Sequence, residues 1–256
     1  MAALFDRALL GAKWLTYTVL CRGDYRSYMR LRAAAVRHVA RRGWYERRHV
    51  QFLRSQVGPS DTAVDVGANL GAYSIALADA VGASGKVLAF EPLAEVFEWL
   101  RRNTAHLSQV SCYELALSDR AAEAVEIAVP LLFGGIPEPS LAGLSVGATR
   151  CDTRRVRVAT LDDYLDQLAG LTFIKVDVEG HELACLQGAR RTLAELRPLV
   201  QFEANDMQRQ YRRFQEFAEP LGFSVCGLAP TGGLRRLDAL SKHSGYNFYL
   251  APTGAV

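Results

Sequence analysis

Asp65-Val66-Gly67-Ala68-Asn69-Leu70-Gly71 is the stretch on which the fold turns. It follows the apolar run Thr62-Ala63-Val64 and leads into Ala72-Tyr73-Ser74-Ile75-Ala76-Leu77-Ala78. That order reads as a strand end, a glycine turn and a helix start. Glycine at 67 and 71 lets the backbone turn sharply and lets a ligand approach the main chain closely. Upstream, Gly58-Pro59-Ser60-Asp61 is a strong break. Downstream, the helix ends in the 81–85 segment, and a second strand at 86–90 stops at Glu91-Pro92. A helix carrying Val96, Phe97, Trp99 and Leu100 and a third strand at 110–114 follow. Strand, helix, strand, helix, strand at this spacing implies a parallel sheet wrapped by helices.

Farther along, 124–129 reads as a short strand, and the glycine- and proline-rich stretches 134–139 and 143–147 as a long loop. Regular structure is expected again at 155–159, with a short helix from Leu161. A fourth core strand is expected at 173–177, then a single helix through Leu183, Leu186 and Ala189, and a fifth strand at 199–203. The tail reads as a helix at 208–218 and strands near 223–225 and 247–250. Residues 1–58 form an N-terminal helical extension on this reading, and 59–256 one ligand-binding domain.

The composition suits such a domain. Of 256 residues, half are hydrophobic and 22% charged, and a net charge of +3 is too small to argue for nucleic acid. The N-terminal region is basic nonetheless, with Arg22, Arg26, Arg30, Arg32, Arg37, Arg41, Arg42, Arg47 and Arg48 against Asp6, Asp24 and Glu46. A solvated helical face accounts for this, and an anionic membrane or acidic partner is the sharper alternative. The apolar residues at 8–21 are interrupted by Lys13, too short a run for a bilayer span and without a small-residue cleavage site. Five cysteines, none at C-x-x-C spacing, give neither a zinc pattern nor a disulfide framework, so a cytoplasmic protein is expected.

The ligand follows from the charges. Asp65 at the strand end can take the cationic end of a ligand. Glu91, at the tip of the second strand, can accept hydrogen bonds from ribose hydroxyls. An adenine ring lying beyond the strand tips would reach Ala116-Leu117-Ser118-Asp119, taken as the end of the third strand. A dinucleotide site wants G-x-G-x-x-G, yet Asn69 stands at the middle position and Asp65 would repel a pyrophosphate. S-adenosylmethionine, with its ammonium and sulfonium, fits the acidic strand end. A nicotinamide-dependent oxidoreductase is the weaker alternative. A nucleic-acid methyltransferase is disfavoured because the fourth strand ends in the acidic Asp177-Val178-Glu179-Gly180. A catalytically inactive binding protein of the same fold is the remaining rival.

These residues resemble the FkbM family of methyltransferases. The resemblance runs through 65–74, Phe90-Glu91-Pro92, Asn103, 116–119 and Thr160-Leu161-Asp162-Asp163. Its most specific segment is Ile174-Lys175-Val176-Asp177-Val178-Glu179-Gly180-His181-Glu182, and Glu203 ends it. Where the family pattern carries a histidine after that last acid, this chain has Ala204-Asn205. The resemblance implies a class I methyltransferase, Rossmann-like α/β fold with a seven-stranded, mostly parallel sheet whose last strand is antiparallel. It also implies methyl transfer to a hydroxyl of a sugar, glycolipid or secondary metabolite. The expected donor site is Asp65, Gly67, Asn69, Gly71, Tyr73, Glu91, Ala116, Leu117, Ser118, Asp119 and Asp177.

The chemistry is expected beyond strand four. Methyl transfer to oxygen needs alignment and removal of a proton. His181, oriented by Glu179 or Glu203, and Asp177 are equal candidates for the base. Helix capping is the plainer role for Glu179 and Glu182. Mg²⁺ is a lesser candidate ligand of Asp177, Glu179, His181 and Glu203, and no spacing demands a metal. The acceptor is expected to be a hydroxylated small molecule or glycan. For the N-terminal region, with Trp14, Tyr17, Trp44 and Tyr45, three roles stay open: a cover over the cleft, a homo-oligomer contact, or peripheral membrane contact.

Overall fold

The structure, a computed structural model, describes residues 16, 20–21, 23–42, 46–132, 136–138, 142, 150–204, 207–238 and 246–254. The apolar stretch at 8–21 lies almost wholly outside them, as do Trp14, Tyr17, Trp44, Tyr45 and Asn205 and the loop stretch at 143–147. Among the described residues no helix is long and apolar enough to cross a membrane.

The chain enters through α1 (Tyr25–Arg41), where the Asp24 carboxylate caps the first turn by accepting from the Ser27 amide at 2.9 Å. Tyr28, Met29, Ala33 and Ala40 form its buried stripe, while Arg26, Arg30 and Arg37 lie on the solvated side. In α2 (Arg47–Gln56), Val50 and Leu53, with Val57 beyond its end, share a core cluster with Ala63, Tyr73, Leu77 and Phe173. The N-terminal helices are thus packed into the same core as the sheet.

β1 (Thr62–Val66) is buried along its whole length, as a strand between two parallel neighbours must be. The glycine turn leads from it into α3 (Ala72–Val81), followed by β2 (Lys86–Phe90), α4 (Ala94–Thr104) and β3 (Val110–Tyr113). The expected third strand end is divided. β3 stops at Tyr113, and β4 (Ala116–Leu117) leaves the sheet to pair with a second one. That second sheet contains β5 (Ala122–Leu132), β6 (Ile136–Pro137) and β7 (Cys151–Ala159), with β5 and β7 antiparallel. The short strand read at 124–129 is the middle of β5.

A 3₁₀ turn (Leu161–Gln167) precedes β8 (Leu171–Val176), which ends one residue before Asp177. The single helix expected next is broken into α5 (Glu182–Gln187) and α6 (Arg190–Leu196) at Gly188. There a Cβ would overlap the carbonyl oxygen of Ser118, so the 118 loop presses directly against the break. Next come β9 (Leu199–Glu203), α7 (Met207–Ala218), β10 (Phe223–Leu228), β11 (Leu234–Arg236) and β12 (Asn247–Pro252).

Among the described residues the main sheet has eight strands in the order β11-β10-β12-β9-β8-β1-β2-β3, one more than expected. The extra strand is the edge strand β11, folded back on β10 by a turn closed by Ala229 N to the Gly233 carbonyl at 2.8 Å. β12, last in the chain, runs antiparallel to both its neighbours, as expected. The tips of β1, β2, β8 and β9 meet at one edge of the sheet, where ligands of open parallel sheets collect.

Candidate active site

A cavity of about 450 Å³ lies over those tips, walled on one side by Arg32 and Val36 of α1. Asp65, Gly67, Asn69, Tyr73, Glu91, Ala116, Leu117, Asp177, His181 and Glu203 all line it. Gly71, Ser118 and Asp119 do not. Gly71 is the buried left-handed residue at the start of α3, and its role is the turn itself.

The loop is held by its own backbone. Gly67 N and Ala68 N both donate to the Phe90 carbonyl, and Asp177 N donates to the Val66 carbonyl at 3.0 Å. Gly67 has φ +77, and a Cβ there would overlap the carbonyl of Asp177. The close approach that demands glycine is therefore to the neighbouring strand's exit. Asn69, at φ 49, takes the left-handed conformation that asparagine tolerates better than most residues.

Glu91 is buried and joins two loops. Its Oε2 accepts from Asn69 N at 3.0 Å and its Oε1 from Leu93 N at 2.9 Å. Burial pushes its pKa up to about 7 in spite of those bonds. Each carboxylate oxygen keeps a lone pair for a hydroxyl donor. Asp65, also buried, accepts from Ser74 Oγ at 2.6 Å, and burial raises it to about 6.

Beside Asp65 in the cavity wall, acids surround one cation. Lys175 is fully buried, with its Nζ 3.3 Å from Asp177 Oδ2 and 5.1 Å from the centre of the Tyr73 ring. Burial works against its charge, and Asp177, Glu46, Glu203 and Asp65 outweigh it, so Lys175 stays above its ordinary pKa. Glu203 is raised to about 8 by burial and by Asp177, and Glu179 to about 7 by burial, Asp177 and Glu182. Glu46, just before α2, brings the N-terminal region into the site. Its Oε2 accepts from Tyr73 Oη at 2.6 Å and from Asn247 Nδ2 at 3.2 Å, and Gln201 Nε2 donates to Tyr73 Oη at 2.7 Å.

His181 is oriented differently from expectation. No bond ties it to Glu179 or Glu203. Its Nε2 lies 2.8 Å from Ser118 Oγ, and Ser118 Oγ donates to Asp119 Oδ1 at 2.9 Å. The serine's single proton is committed to Asp119, so the ring donates from Nε2 and Nδ1 becomes its basic nitrogen. Burial lowers the pKa of His181 and keeps the ring neutral near pH 7. Ser118 and Asp119, read as adenine contacts, stand behind this histidine. Glu182 is spent on the turn, its Oε1 accepting from Val178 N at 3.2 Å and Gly180 N at 3.0 Å. Glu179 and Gly180 are both left-handed, at φ 51 and φ 95, and Glu179 faces the cavity.

Lys175 and Glu46 were not among the residues singled out from the sequence. A lysine inside the apolar run Phe173-Ile174-Lys175-Val176 was the available signal for the first. Nothing local marks Glu46, because its partners Tyr73 and Asn247 lie 27 and 201 positions away. Among the described residues no group of three or more His, Cys, Asp or Glu is arranged to hold a metal.

A family model described as a methyltransferase FkbM domain matches residues 65–225. Among curated proteins none matches the chain. Among solved structures, an FkbM methyltransferase from Methylobacillus flagellatus KT is similar at 21% identity and TM-score 0.46, over 75% of this chain and 43% of that one. A SAM-dependent O-methyltransferase from Thermotoga maritima is similar at 17% identity and TM-score 0.43, over 80% of this chain and 64% of that one. Aeropyrum pernix fibrillarin, solved with natively bound S-adenosyl-L-methionine, is similar at 11% identity and TM-score 0.45, over 77% of this chain and 68% of that one. This chain thus spans less than two thirds of the length of the first two. With the family model covering well over half of its residues, from the Asp65 loop into β10, the chain belongs to the FkbM family of S-adenosylmethionine-dependent methyltransferases.

Proposed function

We propose that this protein transfers a methyl group from S-adenosylmethionine to a hydroxyl oxygen of a sugar, glycolipid or secondary metabolite. The observation that carries the reading is one cavity at the strand tips that gathers Glu91, Asn69, Ala116 and Leu117 together with Asp177, Glu179, His181 and Glu203. The residues fit the donor: Glu91 keeps lone pairs for ribose hydroxyls, and buried Asp65 supplies negative charge for a cationic ligand. When bound, S-adenosylmethionine supplies an electrophilic methyl with a neutral thioether as leaving group.

The chain's task is then to align the hydroxyl and take its proton. Neutral His181, with Nδ1 unprotonated, is the base at neutral pH. Asp177 and Glu203 hold the acceptor by accepting hydrogen bonds from its hydroxyls. Lys175 already supplies positive charge among these acids, so turnover is expected to be insensitive to EDTA.

The test is transfer of labelled methyl from S-adenosylmethionine to a panel of glycosides and polyols. The reading expects an O-methyl product, and turnover reduced about 10²–10⁴-fold by His181→Ala with donor affinity kept. A product methylated on nitrogen or carbon, or full turnover by His181→Ala, would sink it.

A further inference from the structure

The cavity wall is rich in acids. Among the described residues six acidic side chains line it, Glu46, Asp65, Glu91, Asp177, Glu179 and Glu203, against the basic Arg32 and Lys175. Arg32 is already paired with buried Glu138 at 3.0 Å. The methyl donor carries three charges of its own: a sulfonium, an ammonium and a carboxylate. The acids of the wall suit the first two, whereas the carboxylate needs a cation.

Lys175 has the capacity to spare. Its Nζ is sealed from solvent, stands 3.3 Å from Asp177 in an ion pair, and makes no hydrogen bond. An ammonium offers three donors, and buried donors are nearly always satisfied. The cation is also locked in place, with the Tyr73 ring 5.1 Å away and Asp65 beside Lys175 in the β1–β8 register.

Resting on the reading of this cavity as the donor site, we infer that Lys175 is the counter-ion of the carboxylate at the methionine end of S-adenosylmethionine. It completes a polarity along the cavity. Glu91 receives the ribose, Asp65 the ammonium and Lys175 the carboxylate. The acids around Lys175 keep it charged between ligands, and a bound carboxylate satisfies the donors they leave open.

The test is calorimetric titration of the full chain with S-adenosylhomocysteine and with decarboxylated S-adenosylhomocysteine, which lacks only the carboxylate. An acid-lined wall alone would favour the decarboxylated, purely cationic ligand. The unmodified protein is therefore expected to show the opposite preference, binding S-adenosylhomocysteine about 10- to 100-fold more tightly, the worth of one charge-assisted hydrogen bond. Lys175→Met should abolish that preference, leaving the two affinities similar or the decarboxylated ligand the tighter of the two. Lys175→Met/Asp177→Asn removes both charges together and serves if the single variant fails to melt cooperatively. Equal binding by the unmodified protein, a preference for the decarboxylated ligand, or a preference that survives both variants overturns the inference. Binding of neither ligand overturns the donor-site reading itself, and this inference with it.

Discussion

Gly67 and Glu91 show how much of the site is fixed by single atoms. At Gly67 a methyl group would overlap the Asp177 carbonyl and sit at a φ unfavourable for alanine. Gly67→Ala is expected to cost on the order of 3 kcal/mol, read as a fall of several degrees in thermal melting, with donor binding lost. Glu91 accepts a backbone N–H on each oxygen, so Glu91→Gln must turn its NH₂ group toward one of those donors. Both Glu91→Gln and Glu91→Ala should therefore weaken S-adenosylmethionine binding, by about 10-fold or more each. A Gln variant that binds normally would show that the two N–H bonds do not position the loop. Glu91 and Asp177 were legible in the sequence because each follows an apolar strand directly, and Asp65 because it is the one charged residue in the apolar run of β1. The bond of Ser118 to His181 was not legible, since it joins residues 63 positions apart.

At the scale of elements, strands with a continuous apolar run were legible, and those that owe their place to pairing were not. β1, β2, β8 and β9 are buried on both faces and announce themselves. β4 has two residues and exists because β7 pairs with it, and β11 has three and exists because the 229–233 turn folds it onto β10. The break between α5 and α6 likewise depends on the Ser118 carbonyl pressing on Gly188. The N-terminal helices were read as an extension to the domain at 59–256. We expect them to be inseparable from it, because Val50, Leu53 and Val57 fill the core cluster around Leu77, and Glu46 holds Tyr73. Removing residues 1–58 should expose that apolar surface and leave an aggregating or molten product. A truncated chain that melts cooperatively and binds donor would make the extension dispensable.

For the molecule as a whole, the buried acids tie stability to pH. In an unfolded chain such acids titrate at about 4, whereas folded Asp65 holds its proton to about 6, Glu91 and Glu179 to about 7, and Glu203 to about 8. The folded state binds more protons across this window, so its advantage is fully present only below about 4 and is lost progressively as pH rises through the folded values to about 8. The ligand-free protein should melt at a lower temperature at pH 8.5 than at pH 6. S-adenosylmethionine, which brings positive charge to these acids, should raise the melting point more at the higher pH. A melting point flat over this range would show that the acids are hydrated in the folded protein. The most direct test of the central claim is calorimetric titration of the purified chain with S-adenosylmethionine and, separately, with NADH. The account predicts saturable, one-to-one binding of S-adenosylmethionine, lost in Gly67→Ala, and no binding of NADH. Binding of NADH alone, or of neither, would contradict it.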